Sequence, residues 1–207
     1  MPRLFGTDGI RGVANVDLKP PLAYALGRAT AHHLGAGGGA IVVGQDTRRS
    51  GDMFVAAIAA GATSLGVDVH QVGVVPTPAL AYLAGHGSFA GGIMVSASHN
   101  PADDNGLKVL DGRGLKLDDG VEDQLETLIW GADELAGVGN ARLGRVVDAH
   151  GLVDEYRAHR LGLAEGVPMT RYSMGVAAGL EILSASGATD VAAGGSVASL
   201  LASCWPN

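Results

Sequence analysis

The sequence predicts an α/β fold, a three-layer α/β/α domain with a mixed, mostly parallel sheet. Three observations predict it. Short runs at 40–44 and 89–95 have strand length, the first continuously β-branched through Ile41-Val42-Val43 and the second ending in the apolar Ile93-Met94-Val95. Segments with helical apolar spacing lie between such runs. Polar loops follow the strands, and strand and helix alternate along the chain, which places helices on both faces of one sheet.

Taken in order, Leu4-Phe5-Gly6-Thr7-Asp8-Gly9-Ile10-Arg11-Gly12 sets three glycines among polar residues. Such a backbone can turn sharply and approach a ligand closely, with Arg11 as an inward cation, or it can form an ordinary amino-terminal hairpin with an exposed arginine. Residues 21–34 keep helical spacing through Leu22, Ala25, Leu26 and Ala29, with Pro20 and Pro21 at the start. His32 and His33 fall at the carboxyl end, where the macrodipole favours cations, and a glycine-rich run stops the helix. Strand 40–44 leads into the polar loop Gln45-Asp46-Thr47-Arg48-Arg49-Ser50-Gly51. Ser50 can cap a second helix that carries Phe54, Ala57, Ile58, Gly61 and Leu65 on one face. Asp46 and Arg48 read either as a local ion pair or as an anion-binding loop.

Residues 67–72 alternate as a half-buried strand, closed by Pro76 and Pro78. A short helix over 79–83 and a strand over 89–95 follow, and then the loop Ser96-Ala97-Ser98-His99-Asn100-Pro101 with Asp104, Asn105, Gly106 and Lys108 beyond it. Leu107 to Leu110 reads as another strand, Asp118 and Asp119 open a helix carrying Val121, Leu125, Leu128 and Ile129, and 131–144 reads as a small-residue, mobile connection. A last amphipathic helix starts near Asp148. Beyond Arg171 the only charged side chains are Glu181 and Asp190. Two parts are expected: a domain over 1–166 and an off-pattern Ala/Gly/Ser-rich tail over 167–207.

Composition limits the function. A formal net charge of −7 over 207 residues argues against nucleic acid as partner, and the absence of a leader or a membrane-length apolar run points to the cytoplasm. The single cysteine, Cys204, suits a reducing compartment and has no basic neighbour to activate it. The chemistry concentrates in the serine loop. A serine beside a histidine brings acyl transfer to mind, but neighbouring side chains usually diverge and no Gly-x-Ser-x-Gly elbow surrounds either serine. Phosphoryl transfer uses the set better: Ser98 as the oxygen, Lys108 and Arg11 as cations, His99, Asn100 and Asn105 to hold geometry, and Gly106 for close approach. Ser96 reads as a structural hydroxyl bonding the loop backbone.

Residues 4–12, 43–51, 74–78 and 96–108 together resemble the first domain of the α-D-phosphohexomutases, and 5–12 is most similar to the bacterial phosphoglucosamine mutase branch. The resemblance implies a phosphohexomutase domain I fold. It implies that Ser98 is the phosphoserine, that Lys108 is its general acid or base, and that Arg11 and His99 line the same pocket, with Asn100, Asn105 and Arg48 as substrate-binding residues. It implies transfer of a phosphoryl group from Ser98 to a hexosamine phosphate through a bisphosphate that returns the other phosphoryl. Mg²⁺ would sit on the Ser98 phosphate with three aspartates of a second domain, and no Asp-Gly-Asp loop occurs in this sequence. Members have four domains, so this chain would be a first domain, inactive alone. The alternatives are a non-catalytic phosphosugar-binding remnant, as after truncation or frameshift, or phosphomannomutase/phosphoglucomutase specificity.

Overall fold

The computed structural model describes residues 3–7 and 9–164. The tail expected over 167–207, Cys204 included, lies outside the described residues. The chain divides into two compact units, Met1–Val153 and Asp154–Asn207. Six strands of the first unit form one sheet: β1 (Ile10–Val13), β2 (Ala40–Gln45), β3 (Val69–Val74), β4 (Phe89–Val95), β5 (Asp104–Asp111) and β6 (Val146–Asp148), in the order β1-β5-β4-β2-β3-β6. Among these strands β5 alone runs against the rest, being antiparallel to both β1 and β4, while β4, β2, β3 and β6 pair in parallel. The three-layer α/β/α fold with a mixed, mostly parallel sheet is therefore as the sequence predicts.

The helices follow the same logic. Helix α1 (Pro20–His33) starts on two prolines, whose missing N–H groups cost nothing in a first turn, and it packs with α2 (Gly51–Thr63) and α4 (Asp119–Trp130) on one face of the sheet. That layer buries Leu26, Phe54, Ile58, Ile93, Leu107 and Leu125, each removing apolar surface worth about 1.5–3 kcal/mol from water. Helix α3 (Thr77–His86) covers the other face, against β2, β4 and β5. Pro78 stands in its first turn, so the prolines expected to end a strand also open a helix. In the second unit, α5 (Val153–Ala164) is the described element.

Three expectations are corrected. Segment 131–144 is packed into the domain. Buried Arg28 in α1 donates to Ala132 O at 2.9 Å, to Ser64 Oγ at 2.7 Å and to Leu135 O, and Gly144 N–H reaches Thr63 O at 3.0 Å. Asp148 ends strand β6 instead of starting a helix, because three residues after Arg145 can still pair with β3 at the sheet edge. The third concerns β5, which begins at Asp104 rather than at Leu107: Asn105 and Gly106 already pair with β1, and Lys108, within the expected strand, pairs with Met94 of β4.

This topology creates a switch point. From β2 the chain crosses to β3 on one side, and from β3 it returns past β2 to β4 on the other. The carboxyl ends of β2 and β4 lie side by side, with Gln45 paired to Val95. Loops diverging from such a pair leave a crevice between them, the usual place for a ligand in an open α/β sheet.

Candidate active site

Two loops leave that point, 46–50 after β2 and 96–103 after β4. Ala97 is fully buried and anchors the second, while Ser98 and His99 are exposed. Ser98 has φ +56°, a left-handed conformation uncommon outside glycine and asparagine. Its N–H donates to Ser96 Oγ at 3.0 Å, and Ser96 Oγ–H donates to Asp46 Oδ2 at 2.7 Å. Ser96 thus bonds the loop backbone, as the sequence reading expects.

Arg48 resolves its two readings in favour of structure. Nε donates to Asp46 Oδ2 at 3.0 Å, Nη1 to Asp104 O at 3.0 Å and to Pro101 O, and Nη2 to Ser98 O at 2.9 Å and Asn100 O at 2.8 Å. A guanidinium has five N–H donors, so all are engaged inside the protein, and the side chain is only 10 % exposed. Arg48 clamps the serine loop from behind, its five donors directed at the protein. Asn105 also bonds within the protein. It is fully buried, with Oδ1 accepting Gly106 N–H at 2.7 Å and Nδ2 donating to Ser50 Oγ at 2.8 Å. The same bond takes Ser50 away from helix capping, and α2 starts without a side-chain cap.

The cations come from the neighbouring strands. Arg11 pairs with Gly106 across β1 and β5, and Lys108 stands two residues further along β5, so both side chains leave the same face of the sheet. A Cβ on Gly106 would lie 2.6 Å from Ser96 O, so only glycine lets the β4 end come this close. Arg11 Nη1 donates to Asn100 Oδ1 at 3.1 Å, and Asn100 Nδ2 to Asp104 Oδ2 at 2.9 Å. His99 Nδ1 stands 3.4 Å from Ser98 Oγ, long for a hydroxyl bond, and among the described residues no carboxylate orients the ring.

Among the described residues no three His, Cys, Asp or Glu side chains come together as a metal cage. Of the carboxylates at the serine loop, Asp46 is committed to Arg48 and Ser96, Asp104 Oδ2 accepts from Asn100, and Asp103 is exposed. Neither Asp46 nor Asp104 keeps both carboxylate oxygens free to offer Mg²⁺, and no step below passes through one. Sequence reasoning assigned no role to Asp46 as the shared acceptor behind the loop. The signal was an aspartate and an arginine two residues apart just after a strand.

Residues 2–136 match the family described as phosphoglucomutase/phosphomannomutase, alpha/beta/alpha domain I. The chain belongs to this family. Among curated relatives it is 53 % identical to a phosphoglucosamine mutase of Mycobacterium marinum over 163 residues, covering 77 % of this chain and 36 % of that one. It is 51 % identical to a phosphoglucosamine mutase of Mycobacterium leprae, covering 77 % of this chain and 35 % of that one. The fold matches a phosphoglucomutase/phosphomannomutase family protein from Burkholderia thailandensis with a TM-score of 0.67 at 32 % identity, over 77 % of this chain and 35 % of that chain. The chain therefore spans about a third of the length of the curated relatives it matches. Within this phosphohexomutase domain I, the resemblance carried by the serine loop and the Arg11 segment agrees with the family match. No helix among the described residues is long and apolar enough to cross a membrane.

Proposed function

We propose that Ser98 is the phosphoryl carrier of a phosphosugar mutase acting on glucosamine phosphate. One observation carries this: Ser98 is exposed at the switch point, held from behind by a fully engaged Arg48, with Arg11 and Lys108 on the adjoining sheet face. A phosphoserine carries close to two negative charges at neutral pH, and we assign Arg11 and Lys108 to offset them.

In the forward half-reaction the P–Oγ bond of phosphorylated Ser98 breaks as a P–O bond to the sugar hydroxyl forms; the Lys108 ammonium gives a proton to the departing Ser98 Oγ, and the sugar hydroxyl proton restores the ammonium. In the return half the bisphosphate's other phosphoryl moves to Ser98 Oγ, the Lys108 ammonium gives a proton to the departing sugar oxygen, and the Ser98 hydroxyl proton restores the ammonium, so that the serine proton in net ends on the sugar. Arg11 holds Asn100 and adds positive charge beside the equatorial oxygens, and His99 flanks the hydroxyl. The phosphoryl changes position on the sugar and no water enters the balance.

The identity to phosphoglucosamine mutases supports the amino sugar. The Burkholderia neighbour supports hexose phosphate as the second reading. With a domain covering about a third of those relatives, this chain alone should interconvert glucosamine phosphates negligibly. The test is intact-mass measurement after incubation with a glucosamine bisphosphate or a glucose bisphosphate. One added phosphoryl group on Ser98, faster from the amino sugar, is expected. Faster labelling from glucose bisphosphate would favour the second reading, and turnover by the chain abolished in Ser98→Ala would overturn the expectation of inactivity.

A further inference from the structure

We propose that Asp46, Ser96 and Arg48 form a positioning relay that locks the Ser98 backbone in its left-handed conformation and so fixes the direction in which the hydroxyl meets a phosphoryl group. This rests on Ser98 being the phosphoryl carrier.

The two described non-glycine residues with positive φ are Asn15 and Ser98. Asparagine enters the left-handed region readily, whereas serine needs its surroundings to hold it there. Those surroundings bind both amide groups of Ser98: the N–H donates to Ser96 Oγ at 3.0 Å, and the carbonyl accepts from Arg48 Nη2 at 2.9 Å. The Ser96 hydroxyl has one proton, directed at Asp46 Oδ2 at 2.7 Å, so its lone pairs face Ser98 N–H. Asp46 is itself fixed. Its Oδ2 accepts Arg48 Nε at 3.0 Å, its Oδ1 accepts the Arg48 N–H at 2.9 Å, and its own N–H donates to Val95 O at 3.0 Å. The relay thus runs from the last residue of β4 through the β2 loop and back to Ser98, fastening the backbone on both sides of its Cα. The side chain stays exposed. A group held only for stability has no reason to be gripped at both amides while its reactive atom faces outward, whereas a nucleophile that must meet an in-line phosphoryl does.

The test uses the full chain with Ser96→Ala, which removes the relay's middle hydroxyl, and Ser96→Thr, which retains it. Amide hydrogen exchange at Ser98 reads the lock. Single-turnover labelling by glucosamine bisphosphate reads its consequence; there the sugar P–O bond breaks, a P–Oγ bond forms, and the Ser98 hydroxyl proton ends on the departing sugar oxygen. We expect Ser96→Ala to lower exchange protection at Ser98 and the saturating labelling rate by about tenfold each. The half-saturating concentration and the thermal midpoint should stay near those of the parent, and Ser96→Thr should restore both lost properties. Parental protection and rate in Ser96→Ala, or a loss seen only as lowered stability, would overturn the relay. If the parent takes up no phosphoryl, the proposed function fails, and exchange alone decides: protection lost in Ser96→Ala and kept in Ser96→Thr supports the relay, and unchanged protection refutes it.

Discussion

The guanidinium of Arg11 donates to the Asn100 side-chain oxygen at 3.1 Å, tying the edge strand β1 to the loop that carries Ser98. Because Arg11 also stands opposite Gly106 in the sheet, the loop's outer side is fastened to β1 while its inner side is fastened to Arg48. The serine is presented between two arginines of different duty, one on the sheet face and one in the loop's base.

Replacing the inner arginine tests that division. Arg48→Lys keeps a charge but cannot reproduce a planar fork serving four carbonyls and Asp46, and it should lower stability by about 2 kcal/mol. Urea denaturation would read this as a lower midpoint at constant slope. A midpoint equal to the parent's would show that the carbonyl contacts contribute nothing.

Buried Asn105 supplies a second check. Asn105→Ala leaves the Gly106 N–H buried without its 2.7 Å acceptor and deprives Ser50 Oγ of its donor, a loss of about 2 kcal/mol in the same experiment. A neutral effect would mean that water replaces the amide there.

At Gly9, φ is +88° and a Cβ would lie 2.5 Å from Leu107 O, on the strand pair that carries Arg11 and Lys108. Gly9→Ala should therefore cost about 3 kcal/mol and shift β1 against β5. An unfolding midpoint within error of the parent would contradict the close approach.

Acid sensitivity has identifiable sources. Burial raises the Asp111 pKa, but N–H bonds from Leu115 and Arg113 and the Arg113 charge outweigh it and leave the carboxyl below its usual value of 3.8; Asp148 is lowered by its bonds to His150. A depressed folded pKa gives stability that is present above the unfolded value and lost as pH falls through the folded one. The unfolding midpoint should thus drop below about pH 4, and Asp111→Asn should flatten that drop. An unchanged acid limb in Asp111→Asn would remove Asp111 as a source.

The legible part of this chain is the part governed by local pattern. Strand β2 shows as a β-branched run and the end of β4 as the apolar Ile93-Met94-Val95, α1 and α4 show as spaced apolar positions, and the serine loop as a dense set of reactive side chains. What was illegible depends on partners far away in sequence. Strand β6 is three residues long and exists because β3 offers an edge. The fixing of 131–144 needs Arg28, more than a hundred residues earlier. Asn105 and Arg48 have polar chemistry that suits a ligand as well as a backbone, and the bonds they make, Asn105 to Ser50 and Arg48 to carbonyls of the serine loop, join segments far apart in sequence.

The central claim is that Ser98, and no other hydroxyl, takes up the phosphoryl group. Phosphorus NMR of the purified chain after incubation with a glucosamine bisphosphate and removal of the sugar tests it most directly. A single protein-bound phosphomonoester resonance, present in the parent and absent in Ser98→Ala, is the predicted result; no resonance in the parent, or one that persists in Ser98→Ala, would contradict it.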